Sequence, residues 1–403
     1  MAERPKVGLA LAGGGPEGAV YEIGALRALD ECVEGLDLND LQVYVGVSAG
    51  AFVAACLANG LTTAQLVRAV VKTGHGEHPF KPETFFTPAV KEFAGRGLKL
   101  PQLIGEAIWD YLQKPGDMTL LESFARTSRS LPVGLFDNEP LRAYLEKIFA
   151  LAGRTDDFRG LERPLYIVAA DLDSGEAVRF GEPGFDHVPI SRAVQASTAL
   201  PGLYPPVQID GRHYVDGVLL KTLHASIALD AGTDLLFCVN PIVPVDTRDA
   251  VEAGVMRRGK LIDRGLPGVL AQTFRTLVHS RMTVGFASYA PRYPDQEVIL
   301  LEPPRDDYRM FFTNIFSFSS RKSVCEHAYN STRKLLNERR EELEPILESF
   351  GMHLRHDLLN DPDRGLWRGV GLGDPRPTTS VTQRLDDALA RLEELLARTE
   401  IPR

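Results

Sequence analysis

Three short stretches of the 403-residue chain carry residue types capable of covalent chemistry. In Gly46-Val47-Ser48-Ala49-Gly50 a serine stands where one apolar run, Leu41–Val47, gives way to another, Ala51–Leu57. The first run reads as a buried strand and the second as a packed helix, so Ser48 falls at the turn between them. Glycines on both sides let the backbone bend tightly there. This is the G-x-S-x-G spacing of a nucleophile elbow, which presents a hydroxyl at a helix N-terminus. An ordinary tight turn with a capping serine has the same five letters. The second stretch, Gly13-Gly14-Gly15-Pro16-Glu17-Gly18, follows the strand-like Lys6–Ala12 and precedes the helically spaced Ala19–Leu29. Successive glycines leave N–H groups uncovered, and Pro16 suits the first turn of a helix. Such a loop can hold an anion, either a phosphate or the oxyanion of a tetrahedral acyl intermediate. The G-G-G-x-x-G order, with no terminal Lys-[Ser/Thr], argues against phosphate. The third stretch is Gln208–Val215, a hairpin pattern running into Asp216-Gly217. An aspartate before glycine at a strand end is also how a plain turn reads.

A nucleophilic serine needs a base. None of the nine histidines sits in a strand-end loop beside a recognisable acid, so the Ser…Asp/Glu…His order is not legible.

The blocks GGGPEG, GVSAG, RAVQASTALPGLYPPV and YVDG, in this order between about Val7 and Leu336, resemble the patatin-like phospholipase family. The resemblance implies a three-layer α/β/α sandwich around a central, mostly parallel sheet. It also implies a serine acyl hydrolase that cleaves lipid carboxylic esters through an acyl-enzyme, with neither metal nor organic cofactor. In that reading Ser48 is the nucleophile and Asp216 its base. Gly13, Gly14 and Gly15 form the oxyanion loop, Gly46 and Gly50 flank the elbow, and Gly217 completes the dyad turn. A carboxylate hydrogen-bonded to the hydroxyl can accept its proton, and partial burial makes it a stronger base.

The sequence departs from the family pattern in three places, the third of them spanning two residues. Glu17 stands where the loop usually has Arg or Lys, and Val218 where the dyad turn has Gly or Ala. Thr222 and His224 replace a following Asn and Pro. Glu17 is either a first-turn acid favoured by the helix dipole or a charge that disfavours anionic headgroups. The second option favours a neutral-lipid lipase, an acyl-thioesterase or a storage-polyester hydrolase. His224, eight residues after Asp216, is a packing residue or an auxiliary acid/base. A lipid-binding scaffold with weak turnover is the rival from outside enzymes.

The elements that must position these residues alternate. Strand runs at Leu165–Ala170, Ala177–Phe180 and Leu235–Val239 interleave with helical runs at Thr62–Lys72, Leu141–Leu151 and Ile190–Ser197, as in a doubly wound α/β sheet. An acyl hydrolase domain over 1–345 is expected, with a helical cap at about 74–135. A linker and C-terminal amphipathic helix follow over 346–403. In that helix Leu385, Leu389, Leu392 and Leu396 form a stripe for docking on the domain or for homodimerisation. Tyr308–Phe318 is dense in aromatics and reads as core or as a lid meeting acyl chains.

A net charge of −9 argues against nucleic acid and gives no general pull toward anionic membranes. Cys32, Cys56, Cys238 and Cys325 fit no metal spacing and read as buried thiols in a reducing compartment. No run approaches a membrane span and no signal-peptide core is visible, so a cytoplasmic protein with at most peripheral lipid contact is expected.

Overall fold

The structure is a computed structural model that describes residues 5–71, 87–89, 133–252, 261–307 and 318–371. The expected helical cap, the aromatic segment and the C-terminal leucine stripe lie almost wholly outside these residues.

Eight strands form the main sheet: β1 (Val7–Leu11), β2 (Val43–Val47), β3 (Leu165–Asp171), β4 (Ala177–Phe180), β5 (Val207–Ile209), β6 (Arg212–Asp216), β7 (Leu235–Val239) and β8 (Glu297–Leu301). Their order is β8-β7-β1-β2-β3-β6-β5, with β4 also pairing to β3. The five from β8 to β3 run parallel, and β4, β5 and β6 add antiparallel pairs. All residues of β2 and β7 are buried, which is why both read as unbroken apolar runs: helices cover both faces of a parallel sheet. Alternate residues feed two cores. Leu9, Leu11, Tyr44 and Phe237 pack on one face, and Ala10, Val43, Val45 and Cys238 on the other. The expected three-layer arrangement with a mostly parallel sheet is what the chain forms.

The first core takes helices α1 (Gly15–Cys32), α2 (Ala49–Ala58), α3 (Thr63–Val71), α4 (Glu139–Phe149) and α5 (Ile190–Ser197). The second takes α6 (Ala225–Asp230) and residues of the long α7 (Gly265–Ala287). Helix α8 (Phe318–Glu338) lies along α1. Neither α7, α8 nor β8 was legible in the sequence. The Gln208–Val215 hairpin turns at Asp210-Gly211, both with positive φ (49° and 79°), the conformation two-residue hairpins need.

Residues 346–371, expected to belong to a linker, pack against the body instead. Helix α9 (Arg340–Ser349) runs through the expected boundary, and His353–Leu354 pairs antiparallel with Val33–Glu34. Leu359, Leu366 and Trp367 are buried beyond it. The Gly, Pro and Asp content of this stretch reflects short turns between buried contacts rather than a free tether. All four cysteines are buried free thiols. Among the described residues, no helix is long and apolar enough to cross a membrane.

Candidate active site

Parallel pairing of β1 with β2 sets Leu11 beside Gly46, so the loops leaving both strands emerge side by side. The loop after β1 is the glycine run, and the loop after β2 is the Ser48 turn. Ser48 has φ 53° and ψ −118°, a conformation that a residue with a side chain adopts only under constraint. The constraint is steric. A Cβ on Gly46 would lie 2.5 Å from the Ala51 Cα, and one on Gly50 would lie 2.5 Å from the Leu11 carbonyl. Only glycine at both positions lets α2 start this close to β1 and β2.

On the other side of β2, the β2–β3 register puts Val47 beside Val168, and the β3–β6 register puts Ala169 beside Asp216. The Ser48 hydroxyl and Asp216 therefore converge across β3, with Oγ donating to Oδ2 at 2.6 Å. The second carboxylate oxygen of Asp216 accepts from the Val218 N–H at 2.9 Å, closing the turn that begins at Gly217. Ser48 and Asp216 are both buried. Burial lifts the Asp216 carboxyl to about 7, against the opposing pull of the Ser48 and Val218 hydrogen bonds.

The glycine loop divides. The Gly13 N–H donates to the Thr222 carbonyl at 3.2 Å, so this amide is not open to a ligand. The amides of Gly14 and Gly15 have no hydrogen-bond acceptor among the described residues, and both residues line the cavity beside Ser48. Gly15 opens α1, so its N–H is one of the groups a helix start leaves unsatisfied. Ala49, first residue of α2, likewise lines the cavity with no acceptor for its amide. Sequence reasoning missed Ala49, although its place directly after the serine was the available signal.

Ser197, at the end of α5, was also missed. Its Oγ accepts the Ser48 N–H at 2.8 Å and donates to the Val168 carbonyl at 2.6 Å. The Asp216 N–H donates to the Ala199 carbonyl at 3.0 Å. Residues 196–202 thus fix the backbones of both Ser48 and Asp216 and supply Thr198 and Leu200 to the cavity wall, where Leu203 and Tyr204 follow.

The cavity measures about 390 Å³ and holds Ser48 and Asp216 within a mainly apolar lining that includes Phe52, Ile242 and Phe274. Arg275 on α7 lines it too. Glu17 does not line it. The Glu17 carboxyl sits in the first turn of α1, raised to about 7 by burial, with the Arg275 charge opposing and Asp307 adding to the rise. Burial lowers the pKa of Arg275 and Glu17 holds it up. The charged side chain in the cavity wall is therefore a guanidinium, and Glu17 acts on it only through its charge.

His224 is buried at the start of α6 and is not among the cavity-lining residues. Burial lowers its pKa to about 3, opposed by an interaction with the Gly217 backbone, so it is neutral. Val218 covers Gly13: a Cβ on Gly13 would come within 2.9 Å of the valine side chain. Among the described residues, no group of three or more His, Cys, Asp or Glu is placed to hold a metal ion.

A parallel sheet carrying a serine on a strained strand-to-helix turn, hydrogen-bonded to a buried aspartate, defines a class of α/β acyl-transfer proteins. Residues 9–229 match the family described as Patatin-like phospholipase. The chain belongs to that family, and with it to the hydrolases of lipid carboxylic esters. Among solved structures it is similar to VipD from Legionella pneumophila at 16% identity, over 84% of this chain and 67% of VipD, with a TM-score of 0.39. It is also similar to the type III effector ExoU of Pseudomonas aeruginosa at 16% identity, over 84% of this chain and 53% of ExoU, with a TM-score of 0.36. The chain thus spans about half the length of ExoU.

Proposed function

We propose that the protein cleaves lipid carboxylic esters of the phospholipase A type with a two-residue machinery, Ser48 as nucleophile and Asp216 as general base. The observation that carries this reading is the 2.6 Å hydrogen bond between them at the wall of an apolar cavity. Ser48 Oγ attacks the ester carbonyl carbon while its proton passes to Asp216. The carbonyl oxygen becomes an oxyanion held by the amides of Gly14, Gly15 and Ala49, where the N-termini of α1 and α2 meet. The intermediate collapses to an acyl-enzyme as the ester oxygen departs with the proton from Asp216. Water then gives its proton to Asp216 and attacks the acyl carbon, and Ser48 leaves reprotonated. Among the described residues no histidine lines the cavity, so the proposed steps use no imidazole.

The cavity wall suits an acyl chain, and Arg275 at that wall suits a substrate with an anionic group. That observation favours a phospholipid over a neutral ester, thioester or polyester. The Glu17 carboxyl is set back from the cavity and raised by burial to about 7, which weakens the repulsion of anionic headgroups that it would exert.

The deciding experiment combines a fluorophosphonate probe with a hydrolysis panel of phospholipids, acylglycerols, acyl-thioesters and p-nitrophenyl esters. Labelling and hydrolysis should fall by about 10³-fold or more in Ser48→Ala, the scale of losing a covalent nucleophile. A folded wild-type chain that neither labels nor hydrolyses any member of the panel would leave the lipid-binding scaffold as the better reading.

A further inference from the structure

We propose that α7 is the face on which this protein docks onto an anionic lipid surface, with Leu270 at the point where substrate passes from that surface into the cavity. The inference rests on the lipid-ester reading above and adds to it a surface, a partner chemistry and a route. Six of the ten exposed large hydrophobic side chains among the described residues fall between Val251 and Val284: Val251, Ile262, Val269, Leu270, Leu277 and Val284. Leu270, Leu277 and Val284 are 56%, 61% and 71% exposed and seven residues apart, so they form one stripe along the helix. The opposite face of α7 is anchored, with Val278 and Met282 buried. The stripe is therefore presented by a helix seated on the body.

The stripe reaches the site. Leu270 lines the cavity that holds Ser48 and is more than half exposed, so it stands at the cavity rim. Charge points the same way. The whole chain has 54 acidic and 45 basic residues, yet 265–287 contains no Asp or Glu and carries Arg275 and Arg281. Arg281 follows Leu277 by one turn and is tied to the Leu219 carbonyl at 2.8 Å, which keeps its charge beside the stripe. Arg275 turns to the cavity wall, so the exposed stripe is bordered by the one Arg281 guanidinium and is free of carboxylates along the helix, which matches the headgroup and acyl boundary of an anionic bilayer. A second copy of the chain, or its own C-terminal leucine stripe, would cover Leu270 and obstruct the entry that a lipid surface would feed.

The test uses the full-length chain carrying Ser48→Ala, so that binding is read without turnover. It is sedimented with vesicles of phosphatidylcholine alone or mixed with phosphatidylglycerol. The parent should bind the mixed vesicles preferentially, and added salt should weaken the binding. Leu277→Asp with Val284→Asp should lower that binding by about tenfold or more, and Leu277→Trp should raise it. With Ser48 intact, the double variant should hydrolyse a soluble p-nitrophenyl ester at the parental rate, which also reports that it is folded, while its rate on vesicle lipid drops by a similar factor. Equal binding by parent and double variant would overturn the proposal, as would indifference to phosphatidylglycerol. A fall in solution mass caused by the double variant would assign the face to a second copy. Binding that requires removal of residues 380–403 would assign it to the tail. A wild-type chain that binds vesicles through this face yet hydrolyses no soluble ester would sink the catalytic reading and leave the docking face standing.

Discussion

Asp216 is asked to be a carboxylate in a place that disfavours charge. Burial holds its carboxyl near 7, so the general base proposed above is fully ionised only above that pH. Activity on a soluble ester should accordingly rise with pH through about 7. Glu17 titrates in the same window, but Glu17→Gln should leave the rise in place because that carboxyl does not line the cavity. The same shift is a stability statement. Below the ordinary value of 3.8 both folded and unfolded Asp216 are protonated and the cost is absent. It grows as pH passes from 3.8 to about 7, where only the unfolded chain ionises freely, and is complete above that. Asp216→Asn should therefore abolish turnover while stabilising the fold by a few kcal/mol at about pH 8 and by less at about pH 5, measured by urea unfolding.

Ser197 acts between elements, joining the end of α5 to the Ser48 turn and to β3. Ser197→Ala leaves a buried N–H and a buried carbonyl without that partner, which should cost about 1–3 kcal/mol of stability. Turnover should fall about tenfold with little change in KM, because the nucleophile is displaced rather than the acyl chain. Ser197→Thr, which keeps the hydroxyl, should recover most of the rate. An unchanged kcat in the alanine variant would remove this positioning role. At this scale the limits of sequence reading are visible. The strand-to-helix turn at Ser48 was legible because strand, glycine and helix signals coincide within a few residues. That Asp216 would lie within hydrogen-bond reach of Ser48 was legible only through the order of several blocks. That Gly13's amide is taken while those of Gly14 and Gly15 are open depends on where the Thr222 carbonyl arrives, which no residue type encodes. Helix α7 escaped because its apolar residues face both the body and the outside, leaving no single helical stripe to detect.

The family match ends at residue 229, but the fold does not. Strand β7 pairs with β1 over Leu235–Val239, and β8 extends the sheet beyond it. Helix α8 lies along α1, where the Tyr329 hydroxyl donates to the buried Glu31 at 2.5 Å and Arg364 contacts the same carboxylate at 2.9 Å. A chain cut after residue 229 loses one side of β1 and the cover of α1, so it should show no cooperative thermal transition and should aggregate on expression. A sharp melt from residues 1–229 would mean that the later elements are accessory.

The strand order also carries a consequence for biosynthesis. β1 ends at Leu11, yet one of its two neighbours, β7, begins only at Leu235 and is complete at Val239. Throughout the intervening synthesis the nascent chain holds an apolar strand edge without its partner, and the Ser48 turn that rests on β1 has one flank unsupported. The Ser48 turn therefore gains its full support only once synthesis has passed Val239.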